Sequence, residues 1–277
     1  MGRASLAAIA AGAVGVGIAY ALYRKYFRPN LRVRIHKDKY ELGKAAAKFV
    51  ADTVRDVVAT KGYARVIVAT GASQFEFIEA LLKHDVPWNK VTFFHLDEYC
   101  DLPADHPASF RKYLRDRLFS KLQPAAAAVH YLDPACTDEY AAQLAADVVD
   151  LACIGIGENG HIAFNDPPPG GADFEDSLLV KRVALDEACR TQQLGEGWFP
   201  KLSDVPTHAI TLTIPAIMRC AVLSCVVPDE RKAAAVAAAL GDSISVACPA
   251  SILRQHTACT MWLDEASASL LPAAGAQ

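Results

Sequence analysis

No Cys-x-x-Cys pair and no His-x-x-x-His pair occurs in the 277 residues, although the chain carries eight cysteines and eight histidines. Without ligands at such spacings there is no zinc signature, and no metal is expected. The cysteines stand mostly in apolar surroundings, as at Cys153, Cys220, Cys225 and Cys259. They read there as small buried hydrophobes, and a disulfide framework is not expected at this length and spacing. Excess positive charge is missing too: 28 Lys and Arg face 31 Asp and Glu, giving a net charge of −3 and a pI near 6.2. Nothing in that balance points to nucleic acid as a partner. Internal repeats and linkers are also absent, so residues 31–277 read as one domain, long enough to bury a large core.

What is present alternates. A helical pattern from about Leu42 to Thr60 precedes an apolar run at 65–70, and Phe75–Leu82 is helical again. Residues 91–99 read as a strand. A helix is expected from about Pro107 to Leu122, with Phe110, Leu114 and Leu118 at i, i+4 and i+8 and Pro107 suited to its first turn. Tyr140–Asp147 reads as a short helix, Leu151–Ile156 as a buried strand, and His208–Ile214 and Ala221–Val227 as strands. An alanine-rich helix at Asp229–Leu240 and a strand at Thr257–Leu263 complete the pattern. Alternation of this kind predicts an α/β fold, a Rossmann-like, doubly wound, mostly parallel sheet with helices on both faces.

Ahead of it, Leu6–Tyr23 is uncharged and rich in Ala, Gly and Val, and Arg24, Lys25, Arg28, Arg32 and Arg34 follow. Its length reaches the lower range for a membrane span. Residues 1–30 are therefore expected to hold an N-terminal hydrophobic helix, anchoring the chain with its α/β domain on the cytoplasmic side. A cleaved signal ending near Ala19-Tyr20-Ala21 and a soluble helix in the cytoplasm are the alternatives, the first with its basic residues on the wrong side.

Three strand ends carry chemistry. The run at 65–70 leads into Thr70-Gly71-Ala72-Ser73 and a helix start, where backbone N–H groups and hydroxyls suit an anion such as phosphate; Ser73 is equally a good helix cap. Residues 91–99 end in Asp97 and Glu98. The strand at 151–156 runs into Gly155-Ile156-Gly157-Glu158-Asn159-Gly160-His161, with Asp166 five residues on. A histidine between carboxylates can move protons near neutral pH, and in open parallel sheets ligands bind beyond the strands' carboxyl ends. Asp166-Pro167-Pro168-Pro169-Gly170-Gly171 can be neither helix nor central strand. The loop it opens, 166–180, is expected to lie over the site, as a mobile lid or as a rigid turn.

Leu96-Asp97-Glu98-Tyr99, Gly155-Ile156-Gly157 and Gly160-His161-Ile162-Ala163-Phe164-Asn165 together resemble the glucosamine-6-phosphate deaminase (isomerase) family, over roughly residues 40 to 265. The related 6-phosphogluconolactonases share the fold and a Gly-His turn but lack the Asp-Glu-Tyr element and the Ala-Phe-Asn continuation. The resemblance implies a hexosamine phosphate as substrate and no cofactor. Asp97 then matches the general base that moves a proton between C2 and C1. His161 matches the residue that protonates the ring oxygen, and Asp166 stands where the family has a glutamate that orients it. Thr70, Gly71, Ala72 and Ser73 match the phosphate loop. Arg190 matches a phosphate-binding arginine, and Lys232, or its neighbour Arg231, a phosphate-binding lysine. Assembly as a homo-oligomer stays open.

One position departs from the pattern. The family usually has aspartate two residues before the histidine, where this chain has Asn159. An amide can hold an imidazole but cannot stabilise its cation by charge. Glu158 supplies that charge, or ring opening is slower, or the substrate differs. Two other functions compete with deamination: hydrolysis of a sugar-phosphate lactone, with His161 activating water, and a sensor that binds sugar phosphate without turnover. Asp97 separates the first two, since isomerisation needs a base at C2 and lactone hydrolysis does not.

Overall fold

The computed structural model describes residues 31–272 apart from residues 186, 196 and 242 and the side chain of residue 188. The hydrophobic segment expected as a membrane anchor, 6–23, lies outside the described residues. Among those described, no helix is long and apolar enough to cross a membrane.

Chain order gives β1 (Leu31–His36), α1 (Lys39–Lys61), β2 (Ala64–Val68), α2 (Phe75–Leu81), β3 (Val91–His95), β4 (Asp97–Tyr99), α3 (Phe110–Arg117), β5 (Ala128–His130), α4 (Thr137–Ala145) and β6 (Leu151–Ile154). It continues with β7 (Val180–Ala184), α5 (Glu187–Gly195), β8 (His208–Leu212), α6 (Ile214–Met218), β9 (Val222–Val227), α7 (Ala233–Gly241) and β10 (Cys259–Asp264). Seven strands form one sheet in the order β1-β10-β9-β6-β2-β3-β5, with every pair parallel. Period-two alternation sends the two faces of each strand to different cores. Val66 and Val68 pack with Leu42, Val50 and Val54 of α1, Ile78 of α2 and Leu114 of α3. Ile67 and Ile154 face the other way, toward Tyr140 and Leu144 of α4, Ile217 of α6 and Val236 of α7. Helices thus cover both faces, and each aliphatic side chain buried this fully contributes on the order of 1.5–3 kcal/mol.

Local signals fix the element ends. The Asp38 carboxylate accepts from Tyr40 and Glu41 N–H, both at 2.9 Å, so α1 begins three residues ahead of its apolar stripe. It stops at Gly62, whose φ of 86° is the left-handed conformation of a helix end. For α3 the cap is Ser109, whose hydroxyl accepts from Lys112 N–H at 3.2 Å. Pro107 therefore precedes the helix rather than entering it, and the expected continuation to 122 is a separate tighter turn at Phe119–Lys121.

One expectation is corrected. Residues 91–99 form two strands in two sheets. At the break, Tyr140 Oη donates to the His95 carbonyl at 2.6 Å and Leu212 N–H to the Leu96 carbonyl at 3.0 Å. The chain so leaves the parallel sheet, and Asp97–Tyr99 pairs antiparallel with β8, which pairs antiparallel with β7. The strand that draws Asp97–Tyr99 away lies far along the chain, so no local pattern marks the break. The three-stranded sheet β4-β8-β7 overhangs the carboxyl end of the large one. There the order switches: β2 leads to β3 on one side, and the chain leaving β6 returns as β9 on the other.

Candidate active site

The cleft at this switch point has a volume of about 710 Å³, counting space open to solvent. Four strand ends build it. Thr70, Gly71, Ala72 and Ser73 follow β2 and form one wall. Tyr113 of α3 holds that loop by donating from its hydroxyl to the Gly71 carbonyl at 2.9 Å. Lys232 and Arg231 enter from the turn after β9, Asp97 from β4 and His161 from the loop after β6. The structure therefore brings together the anion loop, the carboxylate, the histidine and a lysine that the sequence had only in separate segments.

Asp97 and Glu98 are both buried but face opposite sides of a strand. Glu98 points away from the cleft and closes the start of α3. Its carboxylate accepts from Ser109 Oγ at 3.0 Å and from Phe110 and Arg111 N–H at 3.1 and 2.8 Å, besides Tyr99 N–H at 2.9 Å. That leaves Asp97 as the cleft's carboxylate. Burial, with a smaller push from the neighbouring Glu98 charge, raises its pKa to about 8. A carboxylate so disfavoured as an anion is a strong base once ionised.

His161 sits flat against the backbone of Gly157. A Cβ at residue 157 would lie 2.2–2.4 Å from three atoms of the imidazole, so only glycine lets the ring occupy this place. Gly155 is likewise a matter of room, since a Cβ there would lie 3.1 Å from Gln74 Nε2. Of the three glycines only Gly160, at φ 82°, uses the left-handed conformation.

The charge beside the imidazole is Asp166, whose Oδ1 lies 3.0 Å from His161 Nδ1. The ring nitrogen does not meet hydrogen-bond geometry there, and the contact is an ion pair only when the imidazole carries its second proton. Asn159 bridges the two partners. Its Nδ2 donates to Asp166 Oδ1 at 2.9 Å, and its Oδ1 accepts from His161 N–H at 3.0 Å. Burial raises the Asp166 pKa, but His161, Asn159 and the Cys189 thiol outweigh it and hold the carboxyl below its ordinary value. Glu158 is not brought to the imidazole. It pairs at 3.6 Å with Arg231 on the surface, so the carboxylate beside the imidazole is Asp166.

Strand β8 joins the base to the histidine loop. Asp97 is in register with Thr211, whose hydroxyl accepts from Phe164 N–H at 3.1 Å. Asn165 Nδ2 donates to the Ile162 and Leu212 carbonyls, both at 2.9 Å. These bonds hold Ala163, at the edge of the cleft, in a left-handed conformation with φ 53°, which costs about 1–2 kcal/mol for a residue with a Cβ.

Two expectations do not reach the cleft. Arg190 donates instead to the Val205 carbonyl at 3.2 Å and the Leu202 carbonyl at 2.6 Å, and it does not line the cavity. The loop 166–180 does not line it either. Hydrogen bonds from Gly170 to Pro167, from Ala172 to Asp166 and from Lys181 to Asp176 tie that loop down. Three residues that the sequence reading passed over do line the cleft: Gln74, Gln192 and Gln193. Single neutral amides give no periodic or charge signal by which to find them.

The geometry predicts unequal roles for the two cations. Lys232→Ala should raise KM for a phosphorylated sugar about tenfold or more and weaken inhibition by inorganic phosphate, as loss of a charge-assisted bond does. Arg190→Ala should leave phosphate inhibition within twofold and lower the melting temperature by roughly 2–4 °C, the effect of about 1 kcal/mol in a chain of this size. The reverse pattern, read in the same inhibition and melting assays, would return the clamp to Arg190.

Comparison with known proteins gives the family. Residues 37–166 match the family model described as glucosamine-6-phosphate isomerases/6-phosphogluconolactonase. The chain is 34% identical over 245 residues to a glucosamine-6-phosphate deaminase of Bacillus cytotoxicus, covering 87% of this chain and 89% of the relative. It is 35% identical over 246 residues to one of Bacillus thuringiensis, with the same shares. Among solved structures, a monomeric glucosamine-6-phosphate deaminase superposes with a TM-score of 0.75 at 29% identity, covering 86% of this chain and 99% of that one. A 6-phosphogluconolactonase of Trypanosoma brucei reaches 0.71 at 18% identity, covering 88% and 99%, a likeness of fold alone.

Proposed function

Since this chain belongs to the glucosamine-6-phosphate deaminase/isomerase family, by relatives that it matches over most of its length, we propose that it converts glucosamine 6-phosphate, or an epimer, to fructose 6-phosphate and ammonia. The observation that carries this reading is the buried carboxylate of Asp97 in the same cleft as His161, Lys232 and the anion loop. The loop at 70–73 and Lys232 hold the phosphate, and binding energy from that non-reacting end positions the reacting one. His161, kept in place by Asp166 and Asn159, gives a proton to the ring oxygen as the C1–O bond opens. Asp97 takes the proton from C2, leaving an enolamine across C1 and C2, and returns it to C1. The resulting imine at C2 adds water, and ammonia leaves as the ketone forms. His161 supplies the ring-oxygen proton and Asp97 carries the proton from C2 to C1. The O1 proton lost at ring opening and regained at enolisation, and those moved as the imine is hydrolysed, exchange with water, and no electron is gained or lost.

Lactone hydrolysis, the second reading, has no use for a second, buried base in the histidine's cleft. The test is a panel of hexosamine 6-phosphates differing at C2 and C4, with 6-phosphogluconolactone beside them, followed for ammonia and ketose phosphate. Equimolar ammonia and ketose phosphate support the proposal. Lactone hydrolysis without ammonia release would replace it, and binding without turnover would leave a sensor.

The hydrophobic segment 6–23 and the basic residues after it support a single membrane span, with this site facing the cytoplasm. The full chain is then expected to stay with membranes through high salt and carbonate. Release by carbonate would argue for a peripheral or soluble protein.

A further inference from the structure

The helix that carries Arg190 turns its amides to the cleft and its guanidinium away. Gln193 is 5% exposed and lines the cavity. Its Oε1 is taken by the Tyr99 hydroxyl, which donates to it at 2.6 Å. Tyr99 is itself immobilised: 1% exposed, with Phe110, Phe164 and Phe199 at ring distances of 4.9, 5.3 and 5.4 Å. With the oxygen so occupied, the face that Gln193 has left is its Nε2, a donor of two hydrogens. Among the described residues that nitrogen has no protein partner, and it is not among the polar atoms shut off from solvent.

We propose that Gln193 is a specificity-determining residue that donates from Nε2 to an oxygen of the substrate's carbon chain, and that Tyr99 is the positioning residue holding its amide in the donor orientation. This rests on the reading of the substrate as a hexosamine phosphate. The phosphate end is served by Lys232 and the loop at 70–73. An uncharged donor held rigidly elsewhere in the cleft matches a hydroxyl or carbonyl oxygen better than a dianion, which favours cations. Its neighbour Gln192 lines the same cavity. The arrangement also gives the third residue of Asp97-Glu98-Tyr99 a purpose. Asp97 meets the cleft directly, Glu98 closes α3, and Tyr99 reaches the cleft through Gln193.

The test is calorimetric and independent of turnover. The full chain and its variants are titrated with 2-amino-2-deoxyhexitol 6-phosphate, an open-chain analogue that cannot react, and with inorganic phosphate. Gln193→Ala should weaken the analogue roughly tenfold or more while leaving phosphate within twofold, the effect of one lost hydrogen bond to a ligand oxygen. Gln193→Glu keeps the shape and can still accept from Tyr99, but it replaces the donor by an acceptor, so its loss for the analogue should be at least as large. Tyr99→Phe should weaken the analogue severalfold in the wild-type background and by less than twofold in the Gln193→Ala background. Equal weakening of analogue and phosphate by Gln193→Ala, unchanged analogue binding, or full additivity of the two substitutions would overturn the proposal. Wild-type release of ammonia is scored separately, so a failed substrate assignment and a failed role for Gln193 give different results.

Discussion

Asp97→Asn is expected to lower turnover about a hundredfold or more while leaving KM and phosphate inhibition within a few-fold. The substitution keeps the side chain's size and one of its oxygens. It removes the basicity on which proton abstraction at C2 depends, and a positioned general base accounts for about 10²–10⁴ in rate. Burial is what makes the residue a base of useful strength, because it lifts the carboxyl from the ordinary 3.8 to about 8. On the acid side, kcat/KM of the wild type should therefore climb as pH rises toward about 8, following the ionised fraction in the free enzyme. A substrate ammonium beside the carboxylate favours its charged form, so the same limb in kcat should lie at lower pH.

The pH dependence of stability runs the other way. Between about 4 and 8 the folded chain keeps a proton on Asp97 that the unfolded chain has released, so this residue makes the protein less stable as pH rises through that window. Asp97→Asn should abolish that slope and melt no lower than wild type at pH 8. Near-full activity in the variant, or a fall in its melting temperature at alkaline pH, would show that the carboxylate is not the buried base described here.

The second large effect is expected from a methyl group. Gly157→Ala places a Cβ 2.2 Å from His161 Cε1, 2.3 Å from Nδ1 and 2.4 Å from Nε2. No adjustment of a few tenths of an ångström relieves that overlap, so the ring has to swing away and lose its 3.0 Å contact with Asp166. Misplacement of a reacting group by about 1 Å costs on the order of a hundredfold. Turnover on the cyclic sugar should fall by about that factor, with inorganic phosphate still bound normally, because the anion loop and Lys232 belong to other strand ends. Gly157 has no left-handed φ to lose, so the fold should tolerate the change. Activity within twofold of wild type would mean that His161 does not work from the position seen here.

Gly157 also illustrates what a sequence conceals. The glycines at 155, 157 and 160 are visible as a turn signal, yet Gly157 makes room for the imidazole of His161 four residues on, and Gly155 lies tightly against Gln74 and the Val226 carbonyl. The same holds for the acids. Asp97 and Glu98 read alike, and only the alternation of β4 against the start of α3 makes one a base and the other a helix cap. Alternating helices and strands were legible, as were the anion loop, His161 and the hydrophobic faces of α1 and α3, because each depends on local periodicity or turn chemistry. The break at Leu96 was not, since the pairing partner that draws the chain out of the large sheet, β8, lies more than a hundred residues away. Arg190 had the residue type of a phosphate ligand, but the direction of a side chain on a short helix is set by carbonyls at 202 and 205, which no local pattern announces. Glu158 lies three residues before His161, which it was thought to assist, but it pairs with Arg231 instead. The carboxylate that reaches His161 is five residues beyond it, on the far side of a turn.

The most direct measurement of the central claim follows one proton. Glucosamine 6-phosphate deuterated at C2 is incubated with the full chain in ordinary water, and the ketose phosphate is isolated with the ammonia released. A single buried carboxylate that takes the deuteron from C2 and returns it to C1 predicts ammonia equimolar with ketose phosphate and deuterium at C1 above the solvent background. Ketose phosphate with no deuterium at C1, or substrate consumed without ammonia, would contradict it.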